Sequence, residues 1–344
     1  MRVLVAPGRF AGSPVLAAGE VAAAYAEGWR RHAPDDVLDL APMAGGGAGF
    51  VDVLHEALGG ELLLVNVDGR PATLLDADGT VYVELAQVSD TISVAAGHLL
   101  GRALATGARR VVVAAGDTAW LDGGAGLLAA LGATASGGSL TDGSAGLAGL
   151  EAVDLGPARE VVGGTELVLA ADADAPLAGL FGAARTQGPG LGVPEAELPA
   201  VDLALQRLGE VTDRALATRP GAGAAGGVGF ALLLLGAAYR PALELVCGAL
   251  GLEARARAAD LVVTGEASLD FSGRGGRLPA VVARAAATAA RPCVVLAERV
   301  ALGSRELRAL GFEAAYAADT LADDPHRPEA LADLAARVAR TWSR

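Results

Sequence analysis

Short apolar strands that run into glycine-rich turns recur at both ends of this chain, with a differently patterned stretch between them. Val3–Ala6 reads as a strand, followed by the turn Pro7-Gly8 and an alanine-rich helix from about Pro14 to His32. Val37–Ala41 reads as a second strand ending in the cluster Gly45-Gly46-Gly47, and Phe50–Leu58 as a helix. Near the other end, Asp260–Thr264, Cys293–Ala297 and Phe312–Tyr316 read as strands separated by helical stretches, with Glu329–Trp342 as the closing helix. Such alternation predicts an α/β fold with a parallel sheet, whose ligands bind at the carboxyl ends of the strands. Five strands drawn from both ends can share one sheet if the middle is an insertion. The expected division is therefore a sheet domain from residues 1–60 and 240–344, with a mixed α/β domain over 61–239 inserted into it.

The middle opens with alternation in Glu61–Val67 and Thr80–Leu85, which predicts antiparallel strands. A helix over Ala95–Thr106, a strand at Arg110–Ala114, a helix over Gly124–Leu131 and a strand at Leu167–Ala170 follow. Gly137–Gly149, rich in glycine and serine, reads as an exposed loop. The 344 residues are 52% hydrophobic but only 4% aromatic, so the core must be aliphatic. A net charge of -13 argues against sequence-independent nucleic-acid binding. The longest apolar run, Phe230 to Tyr239, is too short to cross a bilayer, and no signal peptide is visible; a cytoplasmic protein is expected. Cys247 and Cys293 sit in apolar surroundings and read as reduced thiols, and the four histidines show no metal-ligand spacing. All 27 basic residues are arginine, so any cationic step must use a guanidinium.

Four stretches could carry chemistry. The segment Gly221-Ala222-Gly223-Ala224-Ala225-Gly226-Gly227-Val228-Gly229 leads into an apolar helix and could present backbone N–H groups to an anion. Its Gly-x-Gly-x-x-Gly spacing lacks the preceding strand that a dinucleotide fingerprint needs, and a tight packing turn is the plain alternative. Asp172 and Asp174, just beyond a strand, could face one Mg²⁺ or one polar substrate, or serve only as turn residues. Glu266 and Asp270 follow the strand Asp260–Val263, where doubly wound folds place ligands; a solvated loop cap is the alternative. Asp122, in Asp122-Gly123-Gly124, reads first as a helix N-cap.

Taken in order, these segments resemble the bacterial two-domain glycerate kinase family. The resemblance rests on Ala6-Pro7 with Phe10 and Gly12-Ser13; Pro42-Met43-Ala44 with Gly46, Gly47 and Gly49; and Asp122 to Gly126. Asp172-Ala173-Asp174 with Pro176-Leu177, Gly221 to Gly229, and Thr264-Gly265-Glu266 with Asp270, Gly276 and Pro279 complete it. It implies a discontinuous Rossmann- or flavodoxin-like domain with an α/β insertion, and ATP- and Mg²⁺-dependent phosphorylation of glycerate or a related small hydroxy acid. Under it Asp172, Asp174, Glu266 and Asp270 are the expected catalytic residues, the first two also as metal ligands. Gly46, Gly47, Asp122, Gly221, Gly223, Gly226, Gly227 and Arg277 are the expected substrate or phosphate contacts, Arg9 being an alternative source of positive charge. No nucleic-acid or membrane partner is implied, and a homodimer stays open.

The chain departs from the family pattern at polar positions. Gly8-Arg9-Phe10-Ala11 stands where the family typically has Asp-Ser-Phe-Lys, and Gly45 and Ala48 stand where it has Asp and Glu. Trp120-Leu121 replaces a Thr-Asn pair, Ala175 an Asn, Gly190-Leu191 a Gln-Lys pair, Ser268 an Arg and Arg277 a Lys. Losing one electrostatic stabiliser of phosphoryl transfer costs about two to three orders of magnitude in rate. A weakened kinase is thus expected, with a catalytically silent paralogue binding a small acid or a partner protein as the alternative.

Overall fold

The computed structural model describes residues 1–270, 277–318, 324 and 326–343. Gly276, one of the glycines of the family resemblance, lies outside the described residues. The chain divides into two compact units, residues 1–44 with 246–344 and residues 45–245. The division falls at 44/45 and 245/246, where the sequence pointed to 60/61 and 239/240. Helix Phe50–Leu58 is the reason for the difference at the first crossing: it packs on strands of the inserted unit, and Glu84 of that unit accepts hydrogen bonds from Gly49 N and Val51 N at the start of the helix.

The discontinuous unit holds five strands, all parallel, in the order Ala314–Ala317, Cys293–Val300, Leu261–Leu269, Arg2–Pro7, Val37–Leu40. All five strands expected from the two chain ends are present, and they share one sheet. Both faces are covered, as parallel sheets require: Val3, Val5, Leu261 and Val263 face one side, Leu4 and Val262 the other, and all are buried. Helices Ala18–His32 and Arg327–Trp342 cover the Val3 side with Val21, Tyr25, Trp29, Leu331, Leu334 and Val338. The two helices cross where Gly28 meets the main chain of Ala332, a contact too close for any side chain at 28.

Within this unit the turn after the first strand is tied down by a wholly buried arginine. Arg327 pairs with Glu298 at the end of strand 293–300 and donates to Pro14 O (2.6 Å) and Ala11 O (2.8 Å). Phe10 and Leu16 exchange backbone hydrogen bonds across the same turn, and Phe10 packs edge-on against Tyr25.

The inserted unit is built on a six-stranded sheet in the order Ala238–Arg240, Glu166–Ala170, Arg110–Ala114, Thr80–Glu84, Arg70–Ala77, Glu61–Val67. The first four strands run parallel and the last two antiparallel. Strands 61–67 and 80–84 are separated by strand 70–77, which the sequence reading passed over. Two-residue turns at Asp68-Gly69 and Asp78-Gly79, all four at positive φ, join the three strands. Asp-Gly at that spacing is the signature of a tight hairpin. Gly137–Gly149, expected as a loop, contains the short helix Gly143–Leu147, and the strands Thr134–Ser136 and Ala152–Asp154 pair on either side of it. Among the described residues no helix is long and apolar enough to cross a membrane.

The Gly28–Ala332 approach gives a direct test by denaturant unfolding. Gly28→Ala forces a methyl into a packed helix crossing and is expected to lower stability by about 1–3 kcal/mol. Gly19→Ala on the same helix, which meets nothing within 4 Å, is expected to leave stability unchanged or raise it by up to about 1 kcal/mol.

Candidate active site

Three adjacent parallel strands of the inserted unit each carry an acid at or just beyond their carboxyl ends. Glu84 ends strand 80–84, Asp117 follows strand 110–114 and Asp172 follows strand 166–170. The segment 46–51 crosses these acids in strand order. Gly46 N donates to Asp172 Oδ2 at 2.9 Å and Ala48 N to Asp117 Oδ2 at 3.0 Å. Gly49 N and Val51 N both donate to Glu84 Oε2, each at 3.1 Å. The second Asp172 oxygen accepts from Leu243 N at 2.9 Å. The carboxylates thus bind the amides that the sequence reading offered to a phosphate at Gly46. Glycine is required here for closeness: a Cβ on Gly45 would stand 2.5 Å from Asp172 Oδ2, and one on Gly47 would run into the Asp117 carboxylate. Burial pushes the Glu84 carboxyl above its ordinary range, opposed by the amides of Val51 and Gly49.

The second glycine-rich stretch is turned inward as well. Residues 221–230 are all buried. Gly223 N donates to Ala175 O at 2.8 Å and Gly226 N to Gln187 Oε1 at 2.9 Å, while Gln187 Nε2 returns a bond to Gly223 O at 2.7 Å. Gly226 O accepts from Gly123 N at 3.0 Å, and a side chain on Gly226 would collide with the Trp120 carbonyl. Gly221 and Gly227, both at positive φ, pack against the Tyr239 ring and Gly123. The segment thus packs against the protein's own main chain and side chains.

Asp122 is likewise engaged by the protein itself. It is 1% exposed; Oδ2 accepts from Ser93 N and Ser93 Oγ, both at 2.8 Å, and Oδ1 accepts from Gly124 N at 3.0 Å. Ser93 Oγ in turn accepts from Leu127 N. The acid therefore ties the starts of helices Val94–Leu104 and Ala125–Ala130 together. Asp174, by contrast, is exposed and has no partner among the described residues. No group of three His, Cys, Asp or Glu side chains arranged to hold a metal ion occurs among the described residues.

In the discontinuous unit, Glu266 lies within strand 261–269, which runs on past the end expected at Val263, and Asp270 follows the strand directly. Glu266 Oε2 is shielded from solvent and has no hydrogen-bond partner among the described residues. Burial, and then the charge of Asp270, push its carboxyl up to about 7. Asp270 Oδ2 accepts from Ser268 Oγ at 3.0 Å, and Arg299 reaches the same hydroxyl at 3.5 Å. Arg277 is exposed at the first turn of helix Arg277–Thr288, and Arg9 is partly buried in the turn that Arg327 holds. A carboxyl titrating near neutrality beside a second acid, at a parallel-sheet edge, is a proton acceptor suited to activating a hydroxyl.

The family profile described as glycerate kinase family matches residues 3–343. The chain belongs to the glycerate kinase family. It is 33% identical over 325 residues to glycerate 2-kinase of Escherichia coli K12, covering 86% of this chain and 85% of the relative. It is 30% identical over 377 residues to the glycerate kinase of Halalkalibacterium halodurans, covering 99% of each. The fold matches the crystal structure of a glycerate kinase 2 candidate from Salmonella typhimurium LT2 with a TM-score of 0.78 at 30% identity, over 99% of this chain and 98% of that one. The sequence reading missed Glu84, Asp117 and Gln187; the first two could have been found by asking what stands at the end of each parallel strand.

Asp172 joins the start of segment 46–51 to Leu243, and its removal tests that role. Asp172→Ala leaves the amides of Gly46 and Leu243 without acceptors and is expected to destabilise the protein by about 1–3 kcal/mol per amide left buried. Asp172→Asn keeps one acceptor oxygen and is expected to lose about half as much, read by urea unfolding.

Proposed function

We propose that this chain transfers the γ-phosphoryl group of ATP to a hydroxyl of glycerate or a closely related small hydroxy acid. The relatives named glycerate kinase support the reaction, and the Glu266 carboxyl carries the chemistry assigned to this chain. Its Oε2 has no partner among the described residues and its burial raises it to about 7, a basicity that suits proton abstraction near neutral pH. As the hydroxyl oxygen bonds to the γ-phosphorus, the bond from that phosphorus to the β–γ bridging oxygen breaks. The hydroxyl proton passes to Glu266, and ADP departs with the bridging electrons. Asp270 keeps Glu266 basic by charge repulsion. With no lysine in the chain, Arg277 and Arg9 are the cations we assign to phosphate and to the acid's carboxylate.

Magnesium is held in such enzymes by one or two carboxylates together with the nucleotide phosphates, and when bound it neutralises charge on the transferred group. Asp270 is the residue we assign to it, since a site completed by phosphates does not need a cage of protein ligands. We assign Asp172, Asp122 and the glycines at 46, 47, 221, 223, 226 and 227 to shaping the protein rather than to holding phosphate. We also assign the protein to the cytoplasm, where ATP is available, acting on a small molecule and not on nucleic acid or membrane.

A coupled ADP-release assay with ATP, Mg²⁺ and D-glycerate tests the reading. Turnover is expected, with kcat/KM rising as pH climbs through about 7 because the ionised Glu266 is the active form. Glu266→Gln is expected to lower kcat by about two to four orders of magnitude and to abolish that rise. Thermal stabilisation by glycerate without turnover would instead support a silent binder, and turnover indifferent to Glu266→Gln would overturn the assignment of the base.

A further inference from the structure

The inserted unit carries an open groove of about 370 Å³ beside helix 94–104, apart from every residue given a role above. Its polar rim comes from two places. Asn66 and Asp68 stand at the first Asp-Gly hairpin, and His98 and Arg102 lie one helical turn apart on the helix. Val67, Leu131 and Val161 supply apolar wall. The volume is of the size that holds a small organic molecule.

The rim is organised for one kind of ligand. His98 Nδ1 and Asp68 Oδ2 are 2.8 Å apart, which orients the imidazole. Asn66 Oδ1 accepts from Gly69 N at 2.9 Å, so the amide NH₂ of Asn66 remains a donor. Arg102 is exposed and has no partner among the described residues, which leaves its planar fork of donors open. One free cationic fork matches one carboxylate. The lone pairs of Asp68 not used by His98 match a hydroxyl donor, and the apolar wall accepts a short carbon chain. A dianionic phosphate fits less well, because Asp68 repels its second charge.

We propose that this groove is a second binding site, for a small monocarboxylate bearing a hydroxyl, with Arg102 on the carboxylate and Asp68 on the hydroxyl. The site belongs to the inserted unit alone and is independent of Glu266.

Proton NMR of the histidine rings tests it directly, because the chain has only four histidines, His32, His55, His98 and His326. At fixed pH, L-lactate is expected to shift the His98 ring signals saturably while the other three stay in place. Arg102→Ala, a change at an exposed position, is expected to weaken that titration about tenfold or more, the loss typical of one charged hydrogen-bonding partner. Propionate, which lacks the hydroxyl, and inorganic phosphate are both expected to titrate His98 several-fold more weakly than lactate. A His98 signal unmoved by lactate, all four histidines shifting alike, or a titration that Arg102→Ala leaves unchanged would each overturn the proposal. Phosphate binding more tightly than lactate would overturn the ligand class.

Discussion

Four backbone amides of the segment 46–51, received by Asp172, Asp117 and Glu84, hold the start of the inserted unit to the carboxyl edge of its own sheet. That edge is where open α/β sheets ordinarily receive ligands. Here the three strand-end acids are matched by main-chain donors. The arrangement explains the glycines at 45 and 47, whose side chains would meet the Asp172 and Asp117 carboxylates. It also explains why helix 50–58 belongs to the inserted unit, since Glu84 receives the amides of its first turn.

The same physics separates the acids into two groups. Asp122 and Asp172 have both oxygens engaged by the protein's own donors, and removing either leaves buried donors without acceptors. Glu266 is the reverse case: a shielded carboxyl oxygen with no partner among the described residues, whose burial is unfavourable to its charge and raises its basicity. Groups of the first kind set shape, and a group of the second kind can take up a proton.

Much of the fold was legible because parallel strands buried on both faces read as continuous apolar runs, as at Val3–Ala6 and Cys293–Ala297. Strand 70–77 was passed over because Arg70-Pro71 at its start and Asp76 near its end break the apolar alternation, although Asp68-Gly69 and Asp78-Gly79 marked both of its turns. The unit boundary at 44/45 was not legible, because it depends on Glu84 reaching the amides of Gly49 and Val51, more than thirty residues away in sequence. The glycine-rich loops were legible as places of close approach but not as to what approaches. A Cβ-free residue beside a phosphate and one beside a Trp120 carbonyl look alike in sequence. Glu266 was singled out as following a strand expected to end at Val263, whereas the strand runs on through it to Leu269, and its raised basicity follows from burial that only the fold creates.

Amide hydrogen exchange of residues 46–51, followed residue by residue in the protein without ligand, tests most directly whether carboxylates hold this segment. Protection at Gly46, Ala48, Gly49 and Val51 is expected, with Asp172→Ala releasing Gly46 selectively and ATP leaving the pattern unchanged. Rapid exchange at these amides in the wild-type protein, or protection that emerges only when a nucleotide is added, would contradict the account.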